Sequence, residues 1–142
     1  MKNIAAIAIF VASTFITAGS ARAQRTQVNA TVPFNFTVGE QSLPAGNYTI
    51  GSALTSPEVL TIRNWDKKIN MLSHGEPTLD NSEYGNTLVF HKYGDRYFLS
   101  DIYSAGASLN IHFPTTKEEK QAKLQAKEAR LSVNDPILIA LK

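Results

Sequence analysis

Three histidines, His74, His91 and His112, are the side chains of this 142-residue sequence best suited to chemistry. An imidazole near neutral pH can ligate zinc or copper, or move a proton. None of the three belongs to an H-x-x-H or H-E-x-x-H spacing, so a shared metal would require strands distant in sequence to converge. Asp80, Glu83, Asp95 and Asp101 fall at loops or strand ends and could do acid–base work. A glycosidase needs two such carboxyl groups facing across a cleft, and nothing in their spacing pairs these. Ser108 follows Gly106-Ala107 without the Gly-x-Ser-x-Gly elbow that exposes a nucleophile. There is no cysteine, hence neither a thiolate nor a disulfide. The glycines stand singly at turns, so no loop cradles a phosphate. Two readings stay open. Either these are independent strand residues of a non-enzymatic domain with no catalytic, cofactor or metal site, or a small metal-binding protein or hydrolase gathers histidines and acids across strands.

Recognition has its own candidates. Trp65, the single tryptophan, sits in a polar loop between Asn64 and Asp66-Lys67-Lys68, where an indole can anchor a partner or stack on a sugar. The alternative is that it folds back as a lid on the core. Lys92, Tyr93, Arg96 and Tyr97 surround a hairpin tip. They are the nearest approach to a nucleic-acid surface, but the favoured reading is that their apolar bodies cover the sheet and their polar tips stay in water. Trp65, Tyr93 and Arg96 are therefore the binding candidates.

The elements that must position these residues are mostly strands. From Val28 to Val38 apolar and polar residues alternate, the mark of a strand with one buried face. Pro33 cannot donate to a ladder and predicts an edge or a bend there. Leu43-Pro-Ala-Gly46 fits a turn, after which Asn47 to Ile50 resumes alternation. Val59–Arg63 and Ile69–Ser73 flank the tryptophan loop. Gly75 to Asn86 reads as irregular. Gly94-Asp95 joins two β-branched and aromatic runs as a two-residue hairpin turn, pairing Phe90 with Leu99 and His91 with Phe98. Leu109 to Phe113 gives another strand. Thr116-Lys-Glu-Glu119 is a capping box, and 117–132 predicts a surface helix with Leu124 and Leu131 on one side and Ala122, Ala126 and Ala129 opposite. A terminal strand follows at about 137–141. About seven to nine short strands and one C-terminal helix predict an all-β, mainly antiparallel β-sandwich or small barrel in one domain, 24–142.

The first 23 residues stand apart. Lys2, the apolar run Ile4–Ile16 and Ala21-Arg-Ala23 have the anatomy of a secretory signal, with cleavage expected between Ala23 and Gln24. The run is shorter than a bilayer span, so no permanent membrane segment is expected after cleavage. Lys2 and Arg22 leave with the signal, reducing 14 basic residues to 12, against 12 acidic ones. A formally neutral chain argues against nucleic acid as a partner. An outer-membrane barrel needs longer strands than these. The expected location is the periplasm or the outside of the cell, with an envelope or extracellular partner.

Val32-Pro-Phe-Asn-Phe-Thr-Val-Gly39 followed by Leu43-Pro-Ala-Gly-Asn-Tyr48 resembles the V-P-F-x-F-x-V-G and L-P-A-G-x-Y blocks of a family of short exported proteins of acidobacteria. Leu88-Val-Phe-His-Lys-Tyr-Gly-Asp95 with Tyr97-Phe-Leu99 is similar to that family's second block. The resemblance covers most of the mature chain. It implies export and a small β-domain, and it carries no catalytic residue, since the family has no assigned activity.

Overall fold

The computed structural model describes residues 26–142 apart from 54, 80–82, 132 and 134–135. The expected signal, its Ala23/Gln24 junction, and Asp80 therefore lie outside the described residues. Among the described residues eleven strands and one helix follow in chain order, an all-β architecture of two largely antiparallel sheets. The surplus over the expected strand number comes from pieces too short to show alternation.

β1 (Thr26–Val32) pairs with β4 (Gly46–Ala53), which pairs with β5 (Ser56–Asn64), which pairs with β6 (Ile69–His74), making a four-stranded sheet. The second sheet runs β11 (Ile137–Ala140), β8 (Thr87–Tyr93), β9 (Arg96–Ser104), β10 (Leu109–His112), β7 (Glu76–Pro77). β2 (Phe36–Val38) lies parallel to β9 and pairs with β3 (Gln41–Leu43), for seven strands in all. The bend predicted at Pro33 is where the chain leaves one sheet for the other. A proline without an N–H interrupts the ladder there, and both halves of the alternating run still bury their even-numbered side chains.

Val28, Ile50, Leu60 and Ile62 from the first sheet meet Leu88, Phe90, Leu99, Ile102 and Ile111 from the second in one core. Phe36 ties the sheets together, packing edge-on against Tyr48 (5.2 Å between centroids) and Phe90 (5.3 Å). The β8–β9 hairpin has the predicted register, Phe90 opposite Leu99 and His91 opposite Phe98. Its first turn residue, Gly94, has φ 61°, the conformation a type II′ turn needs at that position. Past Phe90 the ladder slips: Val89 faces Asp101, so Ser100 is unopposed. This bulge lets both Leu99 and Ile102 point inward although they are three residues apart. Part of the predicted irregular stretch after Gly75 is ordered against β10 as β7, with the Thr78 N–H donating to Asn110 O at 2.9 Å.

Helix α1 (Lys117–Glu128) ends four residues before the predicted 132. Arg130 takes φ 54°, the Leu131 N–H donates to Ala126 O, and the Arg130 N–H donates to Lys127 O. This is the Schellman closure, made here without the glycine that usually announces it. Ala122 and Ala126 are buried while Leu124 and Leu131 stay exposed, so the helix docks by its small side. The terminal strand returns to the sheet at β8 as expected, half-buried at its edge. No helix among the described residues is long and apolar enough to cross a membrane.

Candidate functional site

Each sheet has an outer face, and the candidate residues divide between them. On the seven-stranded sheet, α1 lies over β8 and β9. Thr116 caps the helix, its hydroxyl accepting the Glu119 N–H at 3.2 Å. The capping box is only half made, because the Glu119 carboxylate turns to the sheet. It accepts from the Tyr93 hydroxyl at 3.2 Å and pairs with His91 Nδ1 at 2.8 Å. Glu119 is 5% exposed, so these partners offset the cost of burying its charge. Burial, then the Glu119 charge, then the hydrogen bond to it push the Tyr93 phenol up to about 12. Arg96 pairs with Glu118 of the helix and lies over the Phe98 ring, 5.2 Å from its centroid. Tyr97 stacks on Phe34, and Lys92 sits 5.6 Å from the Tyr97 centroid, stems over apolar surface as expected. Tyr93 and Arg96, expected to bind, are engaged with the chain's own helix.

The histidines stay apart. His112 Nδ1 pairs with Asp101 Oδ1 at 2.7 Å, and Ser100 Oγ donates to Asp101 Oδ2 at 2.5 Å. The bulge places that aspartate next to β10. The serine reaches the aspartate and not the imidazole, which is not the order of a nucleophilic triad. His74 ends β6 on the other sheet, opposite Val59. Among the described residues no three His, Cys, Asp or Glu side chains are grouped to hold a metal. Asp95 sits at the β8–β9 turn, and Ser108 takes φ 50° in the loop before β10.

Among the described residues no helix covers the outer face of the four-stranded sheet. Register sets Asn29, Thr49, Arg63 and Asn70 side by side on four adjacent strands, with Thr31 beside Asn47 in the next row. Threonine hydroxyls donate to amide oxygens along these rows, Thr31 to Asn47 at 2.7 Å and Thr49 to Asn29 at 2.8 Å. Arg63 Nε donates to Asn70 Oδ1 at 3.3 Å. The three amide carbonyls are thus used, while their NH2 groups have no partner among the described residues.

Trp65 rises at the end of this face, 72% exposed. Alternation along β5 explains it: Ile62 and Asn64 point inward, Arg63 and Trp65 outward. Arg63 lies 5.8 Å from the indole centroid, within cation–π range. The loop beneath is held from three sides. Buried Asn64 accepts the Lys67 N–H on its Oδ1 at 3.0 Å, and Lys67 Nζ donates to Ala45 O at 2.8 Å. The Lys68 N–H donates to Trp65 O at 3.3 Å. Gly46 is required here, because a Cβ on it would stand 2.5 Å from Asn64 Nδ2. That Nδ2 has no hydrogen-bond partner of normal geometry. Tyr48 underpins the same corner, donating to Pro44 O at 2.5 Å. Burial raises its phenol above the ordinary range, and the Asn64 amide opposes part of that shift.

Two clefts flank the indole. One, of about 440 Å³, is lined by Asn29, Thr31, Asn47, Thr49, Asp66 and Lys142 together with Trp65. The other, also about 440 Å³, is lined by Arg63, Asn64, Lys68, Ile69 and Asn70 together with Trp65. Both fall within the range of small-ligand sites. Sequence reasoning singled out Trp65 but missed the amide rows, whose signal was Asn and Thr at outward positions of successive strands. The chain matches no family model, no curated protein and no solved structure.

Proposed function

We propose that this chain is an exported, non-enzymatic β-domain that holds a ligand or partner in the cell envelope or outside the cell. The outer face of the four-stranded sheet, around Trp65, is where it does so. One observation supports this above the others: a tryptophan 72% exposed on a loop braced by three hydrogen bonds. Leaving so large an apolar surface in water forfeits its burial energy, and bracing it lowers the entropy a binding event must spend. The free amide NH2 groups of Asn29, Asn47 and Asn70 add ordered donors beside it. The resemblance to exported acidobacterial proteins supports the same location, and the leader-like first 23 residues support export.

The test is retention of the chain by isolated cell envelopes and by the polymer fraction of the culture medium. Wild type should be retained by one of them and Trp65→Ala should wash through. Equal retention of both proteins contradicts the assignment of the face. For export, N-terminal sequencing of the chain recovered outside the cytoplasm should begin at Gln24; an intact Met1 would contradict it.

A further inference from the structure

We propose that the ligand of this face is an acidic polysaccharide, a chain of sugar rings bearing carboxylates, laid across the four strands over Trp65. The inference rests on the sheet-face reading above and adds the chemistry of what it holds. A sugar ring presents an apolar C–H face, which an exposed indole can stack against, and a periphery of hydroxyls, which amide NH2 groups can meet. Trp65 and the three asparagines supply both kinds of contact on one surface. Because Trp65 lines both clefts, a ligand that fills them must cross the indole. From Asn29 to Asn70 the row spans four strands, roughly 14 Å at the usual interstrand spacing. That length suits more than one ring and exceeds a single sugar.

The charges select the acid form. In the first cleft Asp66 and Lys142 balance, and Lys142 Nζ is already turned to Thr31 Oγ1 at 2.9 Å. In the second cleft Arg63 and Lys68 face the ligand with no carboxylate among the lining residues. Lys68 holds φ 54°, fixed there by the turn that carries Trp65. A carboxylate on a ring beyond the indole would meet both cations. The guanidinium would keep its planar fork toward the ligand, Nε being the atom spent on Asn70. A neutral glycan leaves this pair unused. An acidic peptide satisfies the cations but offers no stacking face in register with the amide rows.

The experiment is calorimetric titration of the intact exported chain with polygalacturonate and with alginate. Fully methyl-esterified polygalacturonate and poly-glutamate serve as comparison polymers. At least one of the two acidic polysaccharides should bind, with affinity falling as salt is raised. Trp65→Ala should weaken it by about 30-fold or more. Arg63→Gln with Lys68→Gln should weaken it by about tenfold and flatten the salt dependence. Esterification should reproduce the effect of that double variant. Equal binding of esterified and free-acid polymer would overturn the acidic assignment, and poly-glutamate binding as tightly would overturn the sugar. Binding to neither polysaccharide would overturn the inference as a whole. Trp65-dependent retention by envelopes or culture polymer would then still leave the sheet-face reading standing. Circular dichroism of each variant separates lost contacts from lost folding.

Discussion

The two outer faces of this molecule carry similar kinds of side chain and put them to opposite use. On the seven-stranded sheet, His91, Tyr93 and Arg96 meet Glu118 and Glu119 of α1, and the charge of Glu119 is buried among partners the chain supplies itself. On the four-stranded sheet, Asn29, Thr49, Arg63 and Asn70 line up with no element over them among the described residues, and Trp65 is largely exposed at the end of the row. Polar and aromatic residues are thus not by themselves a sign of a binding surface. What distinguishes the two faces is whether the hydrogen-bonding capacity is already met from within.

The largest effect is expected at Glu119. Glu119→Ala leaves the Tyr93 hydroxyl and His91 without their shared acceptor under the helix, and should cost about 3 kcal/mol of stability in denaturant unfolding. Glu119→Gln, which keeps an acceptor, should cost less. Neither change should alter ligand retention. A fully stable Glu119→Ala protein would mean the helix face is no more committed than the open one.

Trp65→Ala should do the reverse. Its stability should stay within about 1 kcal/mol of wild type, as for an exposed side chain whose ring contact is the Arg63 guanidinium, while ligand retention is lost. In the wild-type chain, acrylamide should quench the single tryptophan strongly. A shielded, blue-shifted emission would place Trp65 as a lid on the core.

Thr116→Ala is a smaller probe of the helix face. It removes the hydroxyl that caps Glu119 N–H and should cost about 1 kcal/mol. At neutral pH Tyr93→Phe should cost no more than about 1 kcal/mol, one hydrogen bond to a carboxylate that keeps His91. That cost shrinks in alkali. The Tyr93 phenol is raised in the folded state to about 12 from its ordinary value of 10.0, so the unfolded chain releases its proton first. The stability associated with the neutral phenol is therefore complete below pH 10 and lost as pH rises towards 12. Tyr48, also raised, adds to the same loss. Tyr93→Phe should lessen the alkaline fall in melting temperature; an unchanged fall would assign it elsewhere.

Local chemistry was legible in the sequence where one residue decides it. Pro33 broke the first strand, Gly94-Asp95 set the hairpin register, and Thr116 started the helix. The helix end was not legible, because Arg130 adopts the left-handed conformation without being glycine. Nor was the bulge at Ser100, which needs the partner strand to define it. Glu119 read as a capping residue because its sheet partners lie 26 and 28 positions away. Of the open face, the tryptophan was visible and the amide rows were not. Asn29, Thr49, Arg63 and Asn70 become neighbours only once four strands are in register. Asn64 was the overlooked cue, a polar residue in an inward slot of an alternating strand, now seen holding the Trp65 loop.

Side-chain oxidative footprinting of the chain, alone and mixed with isolated envelopes or culture polymer, compares the two faces in one measurement. Trp65 should be readily oxidised alone and protected when bound, with Tyr93 unreactive in both states under α1. Protection appearing on the helix side while Trp65 stays reactive would contradict it.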